Sequence, residues 1–122
     1  MPNVIWIFGD QHRAQAMGHM GDPNATTPNL DRMAAQGVPF RQAISGCPWC
    51  TPFRGSLITS RYTHRATQRT PQALDTSLPT IADAFNEQGY RTAWFGKWHL
   101  IGSNKMDYVP KEARGRFDTW VG

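Results

Sequence analysis

The chain has 122 residues, 39% hydrophobic and 18% charged, with 11 glycines and 9 prolines, which is one domain's worth at most and excludes a disordered, charge-rich segment. Thirteen Lys and Arg against nine Asp and Glu give +4, but the arginines (Arg13, Arg32, Arg41, Arg54, Arg61, Arg65, Arg69, Arg91, Arg114, Arg116) are scattered, not gathered into the stripe of a nucleic-acid binder. The longest apolar run, Val4 to Phe8, is too short for a membrane span or a signal-peptide core and follows no Lys or Arg, so a cytoplasmic location without membrane or nucleic acid is expected.

Asn3 to Gly9 is the first element. This apolar run, rich in β-branched and aromatic residues and closed by glycine, lacks alternation, as in a central strand of a parallel sheet covered on both faces. Residues 12–26, with Gly18, Gly21, Asp22 and Pro23, read as a loop holding one short helical turn. Thr27-Pro28 is a helix start, a hydroxyl at the N-cap and proline at the first helical position. Leu30, Met33 and Ala34 follow on one face, with Gly37 as the stop.

Thr51-Pro52 repeats that start, and Phe53, Leu57 and Ile58 form the apolar face of a helix reaching about Ser60. A third helix is expected from Pro79 to Gln88, with Leu78, Ile81, Ala82 and Phe85 at helical spacing and Gly89 as the stop. It leads into a second strand, Arg91 to Gly96. The order strand, helices, strand is that of an α/β fold, the long connection right-handed if the two strands are parallel in one sheet. So few strands, as apolar as the interior of a larger domain, mark the chain as the front portion of something bigger.

Cys47 and Cys50 form a Cys-Pro-Trp-Cys run. Two cysteines make no disulfide scaffold, and a four-ligand zinc site needs other partners. The spacing matches a thioredoxin-like redox pair, but residues 41–46 are a poor strand to precede one.

Ligands of open parallel sheets bind beyond the carboxyl ends of the strands. There the sequence places Asp10 and Gln11 after the first strand, and Lys97-Trp98-His99 after the second. If residues 97–99 stay extended, Lys97 and His99 share a side. The helix opening at Thr51 begins at the same rim and brings Cys50, its positive dipole end and, one turn on, Arg54. Taken singly, each residue has a duller reading: a turn aspartate, a small buried cysteine, a solvated lysine, a histidine bonded to a carbonyl. Their joint occurrence at element ends favours a site for an anion beside a cation.

The motifs resemble the N-terminal part of the formylglycine-dependent (type I) sulfatases, of the alkaline-phosphatase-like superfamily. Cys50-Thr51-Pro52-Phe53-Arg54 followed by Leu57-Ile58-Thr59-Ser60-Arg61 is similar to that family's modification signature. Around it stand the opening run followed by Asp10-Gln11, Thr27-Pro28-Asn29-Leu30-Asp31-Arg32, Gly89-Tyr90-Arg91-Thr92 leading to Gly96-Lys97-Trp98-His99-Leu100, and the tail Phe117-Asp118 to Gly122. The likeness covers essentially the whole chain.

It implies the N-terminal portion of a three-layer α/β fold with a mainly parallel central sheet, residues 1–122 being a fragment of a single catalytic domain. The implied activity is sulfuric ester hydrolysis. Cys50 is then the cysteine that a formylglycine-generating enzyme converts to an aldehyde, whose hydrate attacks the sulfate ester and later regenerates the aldehyde by C–O cleavage. Asp10, Gln11 and residue 50 are implied metal ligands. Gln11, where many relatives have aspartate, makes the site one charge less negative, and all-oxygen ligation favours Ca2+, with Mg2+ or Mn2+ compatible. Arg54 is implied to hold the formylglycine hydroxyl and the metal-site carboxylate, and Lys97 and His99 to bind the sulfate oxygens. Ser60 stands where glycine is usual, and Cys47 has no family role.

The family's remaining metal ligands and a further sulfate-binding lysine and histidine come from later in the fold, so the missing C-terminal part is itself an expected partner. Phosphonate monoester or phosphodiester hydrolysis by the same residues is the nearest alternative. An inactive fragment and a Cys47–Cys50 redox pair are alternatives of other classes.

Overall fold

The computed structural model describes residues 1–67, 72–102 and 108–122. Arg69 lies outside the described residues, as does the start of the polar stretch after Gly102. The chain divides into two units, Met1–Ile44 and Ser45–Gly122. Among the described residues, no helix is long and apolar enough to cross a membrane.

In the first unit, the run expected as a buried strand is not buried and forms no strand. Ile5 and Ile7 are 82% and 85% exposed. A strand is defined by the ladder a neighbour offers it, and apolar, β-branched sequence alone does not supply that neighbour. The loop that follows contains one short 3-10 turn, Gly18–Met20, as the sequence predicts.

Helix α1 spans Pro28–Gln36, with proline in its first turn and Gly37 donating back to the Met33 carbonyl. Its apolar face is not buried: Leu30 and Met33 are exposed and Ala34 half-buried. Thr27 does not cap the helix with its side chain. Its hydroxyl accepts from the Gly18 N–H at 2.8 Å and donates to Asp31 Oδ1 at 2.9 Å. Asp31 also accepts from the His19 N–H at 2.8 Å, so the Thr-Pro-Asn-Leu-Asp motif ties the preceding loop to the first turn of the helix. These bonds, that of the His19 amide first, hold the Asp31 carboxyl below its ordinary value.

The second unit holds all the buried apolar side chains among the described residues, Ile58, Ala66, Leu74, Ala82, Trp94, Trp98, Leu100 and Val109. Helix α2 spans Cys50–Thr59 and ends at Ser60 in the left-handed region, φ 54°. A short helix the sequence did not announce, α3 at Thr63–Ala66, packs against it. Gly55 makes this close approach possible, because a Cβ there would lie 2.5 Å from Thr67 Cγ2.

Helix α4 spans Ile81–Glu87, shorter than the expected 79–88. Thr80 and Asp83 form a capping box, so Pro79 lies before the helix. Strand β1, Ala93–Phe95, lies within the predicted second strand. Its parallel partner is β2, Thr119–Val121, with Trp94 opposite Trp120. The parallel sheet expected of an α/β fold is therefore present, but the tail, not residues 3–9, supplies the second strand. The order α4–β1 followed by a parallel β2 keeps the α/β pattern.

Two side-chain links fasten this sheet to α4. Arg116 clasps Asp83 through both carboxylate oxygens and also donates to the Thr76 and Leu78 carbonyls. Thr80 Oγ1 donates to the Gly115 carbonyl at 2.7 Å. The Arg116 guanidinium, followed by the Thr80 amide, brings the Asp83 carboxyl down to about 2.

Candidate functional site

Three local features converge in the second unit. The first is the opening turn of α2. The helix begins on Cys50, with Trp49 as its N-cap residue, two residues earlier than the Thr-Pro signal implies. Thr51 is therefore inside the helix, and its hydroxyl serves another segment. Cys50 is half-buried, Thr51 and Arg54 are buried, and Thr51 and Arg54 lie one turn apart on the same helix.

The second feature is the segment leaving β1. Trp98 is held in an aromatic cluster, its ring 5.0 Å from Trp94 and 4.8 Å from Trp120, both edge-on, geometries favoured by the ring quadrupoles. Gly115, φ 62°, has no Cβ to meet the Trp98 ring, which would otherwise approach within 2.9 Å. With Trp98 turned into the core, Lys97 stays exposed and His99 half-buried.

The third is the set of bonds between these two segments. Thr51 Oγ1 donates to the His99 carbonyl at 3.1 Å. Arg54, 3% exposed, donates from Nη1 to the Lys97 carbonyl at 2.5 Å. Lys97 Nζ lies 3.6 Å from Cys50 Sγ. Residues 97–99 do not stay extended as supposed: His99 has φ 60°. A non-glycine residue in the left-handed region costs about 1–3 kcal/mol and persists where its surroundings hold it. The buried Thr51 hydroxyl on its carbonyl is one such restraint.

The structure thus brings the Lys97 side chain to Cys50 and ties the backbone at Lys97 and His99 to Arg54 and Thr51, the last of which sequence reading passed over as a helix cap. The result is an ammonium beside a sulfur at a helix N-terminus, with a buried guanidinium one turn away. That is a region of positive potential suited to an oxyanion.

Asp10 and Gln11 belong to the first unit. Both are exposed and form a turn after the apolar run, Gln11 with φ 57°. They present a carboxylate and an amide oxygen on adjacent residues. Among the described residues, no group of three or more His, Cys, Asp or Glu is placed to hold a metal ion.

Cys47 and Cys50 are both half-buried and not joined by a disulfide. The helix starts on the second cysteine, and no strand precedes the pair at residues 41–46. This differs from the strand-then-helix setting that the thioredoxin-like reading requires.

The sequence profile described as Sulfatase matches residues 2–122. An ulvan-active sulfatase of Formosa agariphila is 44% identical over 98% of this chain and 24% of its own length. A steryl-sulfatase of Homo sapiens is 38% identical over 99% of the chain and 23% of its own. An endo-4-O-sulfatase of Bacteroides thetaiotaomicron is 32% identical over 98% and 30%. Among solved structures, the sulfatase-like protein yidJ of Bacteroides fragilis superposes with a TM-score of 0.76 at 30% identity, over 89% of this chain and 28% of that one. The chain thus spans between 23% and 30% of the length of these relatives.

Proposed function

The chain belongs to the sulfatase family, with the fold of its alkaline-phosphatase-like N-terminal region, and from that premise we propose that it carries the nucleophile-bearing part of a site that hydrolyses sulfate esters of small molecules. The observation that carries this reading is the approach of Lys97 Nζ to Cys50 Sγ at the start of α2. A thiol or its oxidised replacement at that point faces an ammonium able to take up charge on a transferring group.

In this reading Cys50 is the residue that a formylglycine-generating enzyme converts, and formylglycine supplies an oxygen nucleophile carrying a second hydroxyl. The chain's own residues prepare its surroundings. Lys97 binds a sulfate oxygen and stabilises the negative charge that grows there. His99, two residues on, binds a second oxygen of the same group. The first turn of α2 adds its unpaired N–H groups and positive dipole end. Arg54 contributes buried positive charge one turn below residue 50 while holding the backbone that delivers Lys97.

The donor chemistry of Asp10 and Gln11 fits a divalent cation. A carboxylate and an amide carbonyl are hard oxygen donors of the kind Ca2+ takes, and Mg2+ or Mn2+ accept the same atoms. By the resemblance, Asp10 and Gln11 would be the first unit's share of the ligands and residue 50 the second unit's, with the remainder coming from the rest of the fold. A cation held there supplies charge neutralisation for the transferring group.

The test is turnover by the whole protein, co-expressed with a formylglycine-generating enzyme, on an aryl sulfate and an aryl phosphodiester. Sulfate hydrolysis abolished by chelation is expected. A preference for the diester by orders of magnitude would overturn the assignment in favour of phosphodiester or phosphonate monoester hydrolysis. The isolated 122-residue chain, with part of the ligand set, is expected to show no turnover.

A further inference from the structure

We propose that Thr51 is a positioning residue for this site: its hydroxyl, by holding the His99 carbonyl, fixes the left-handed backbone at His99 and with it the placement of the Lys97 and His99 side chains around residue 50. The inference rests on the sulfatase reading for what the site does, but on the structure alone for how the segment is held.

Threonine at the opening of a helix ordinarily caps that helix. Here Trp49 occupies the N-cap position, and no side-chain cap bond is present. Thr51 is 2% exposed, and its Oγ1 reaches a carbonyl 48 residues away. Arg54, three residues on, takes the Lys97 carbonyl. Two side chains on one helix face therefore grip two carbonyls that flank Trp98, while the Trp98 ring is gripped from its other side by Trp94 and Trp120. Beyond His99, Leu100 is buried and its carbonyl accepts from the Leu74 N–H at 2.9 Å. His99 thus stands between two anchored neighbours, in a backbone conformation that no glycine relieves.

Removing the Thr51 donor frees the His99 carbonyl while leaving residue 50, the Lys97 ammonium and the His99 ring chemically unaltered. A misplacement of about 1 Å in the groups around the reacting atoms can cost about 10²-fold in turnover.

The experiment compares Thr51→Val, which keeps the shape and deletes the donor, with Thr51→Ser, which keeps the donor, in the whole protein. Two readouts are taken: hydrogen exchange of the peptide spanning residues 96–101, and kcat and KM on an aryl sulfate. The expected result for Thr51→Val is faster exchange in that peptide, kcat lowered about tenfold to a hundredfold and KM within about twofold. Thr51→Ser is expected to restore both exchange and kcat to within about threefold of the parent. Unchanged exchange in Thr51→Val overturns the proposal, as does faster exchange with unchanged kcat, or a Ser variant as impaired as Val. A parent protein that hydrolyses no sulfate ester overturns the sulfatase reading instead, and the exchange comparison still decides whether the Thr51 bond holds the segment.

Discussion

The ammonium of Lys97 lies 3.6 Å from the sulfur of Cys50 although 47 residues separate them in the chain. Neither residue reaches the other by its own helix or strand. The meeting depends on Trp98 being turned into the aromatic cluster and on α2 holding the carbonyls on either side of it.

Lys97→Met removes the charge and keeps the apolar stem. Sulfate-ester turnover by the whole protein is expected to fall about 10²–10³-fold, the usual loss of a preorganised charge donor. The far-ultraviolet circular dichroism should be unchanged, because Lys97 is exposed and its backbone carbonyl bond to Arg54 survives.

Arg54→Lys is not conservative. The guanidinium is 3% exposed and donates to the Lys97 carbonyl, and an ammonium on a shorter, differently forked stem leaves buried donors and acceptors mismatched. A stability loss of about 1–3 kcal/mol is expected by urea denaturation, with activity not recovered relative to Arg54→Met.

Ser60→Gly removes a left-handed strain at the end of α2, where φ is 54°. The variant is expected to gain about 0.5–1 kcal/mol, since glycine adopts this conformation without the Cβ penalty, a gain partly offset by its greater unfolded-state freedom. Gly55→Ala should act oppositely and lose about 1–3 kcal/mol, because the added methyl meets Thr67. Thermal unfolding of the two variants beside the parent checks both signs.

The Asp83–Arg116 pair predicts an acid limb in stability. The folded-state value of Asp83, about 2, lies below its ordinary 3.8. The stabilisation is therefore complete above about pH 4 and is lost as pH falls through 2. Arg116 is 44% exposed, so solvent screening limits the contribution to about 1 kcal/mol. Asp83→Asn should flatten the fall of the urea midpoint between about pH 4 and pH 2, where the folded and unfolded carboxyls differ in charge. Asp31 and Asp75 are also lowered and will leave a residual slope.

Much of the helical part of this arrangement was legible in the sequence. The Thr-Pro starts located α1 and α2 because proline is excluded from helix interiors but suits their first turn. What could not be read was where each hydroxyl would go: Thr27 serves Asp31 and Thr51 serves His99, partners that only the tertiary structure supplies. The run at residues 3–9 has strand chemistry but no strand is assigned to it, since pairing is not a property of one segment. The tail at 119–121 has the reverse character, a strand by virtue of β1 beside it. The expectation that Lys97 and His99 share a side rested on an extended backbone, and the positive φ at His99 shows the limit of that inference. Asp10 and Gln11 were read from their place after an apolar run, and the structure describes them as an exposed turn.

The most direct test of the site assigned to Cys50 is the mass of the peptide carrying residues 42–54, taken from a preparation that hydrolyses an aryl sulfate. The account predicts a peptide about 18 Da lighter than the thiol form, with the change at position 50, as conversion of cysteine to formylglycine requires. An intact thiol at Cys50 in that active preparation would contradict it.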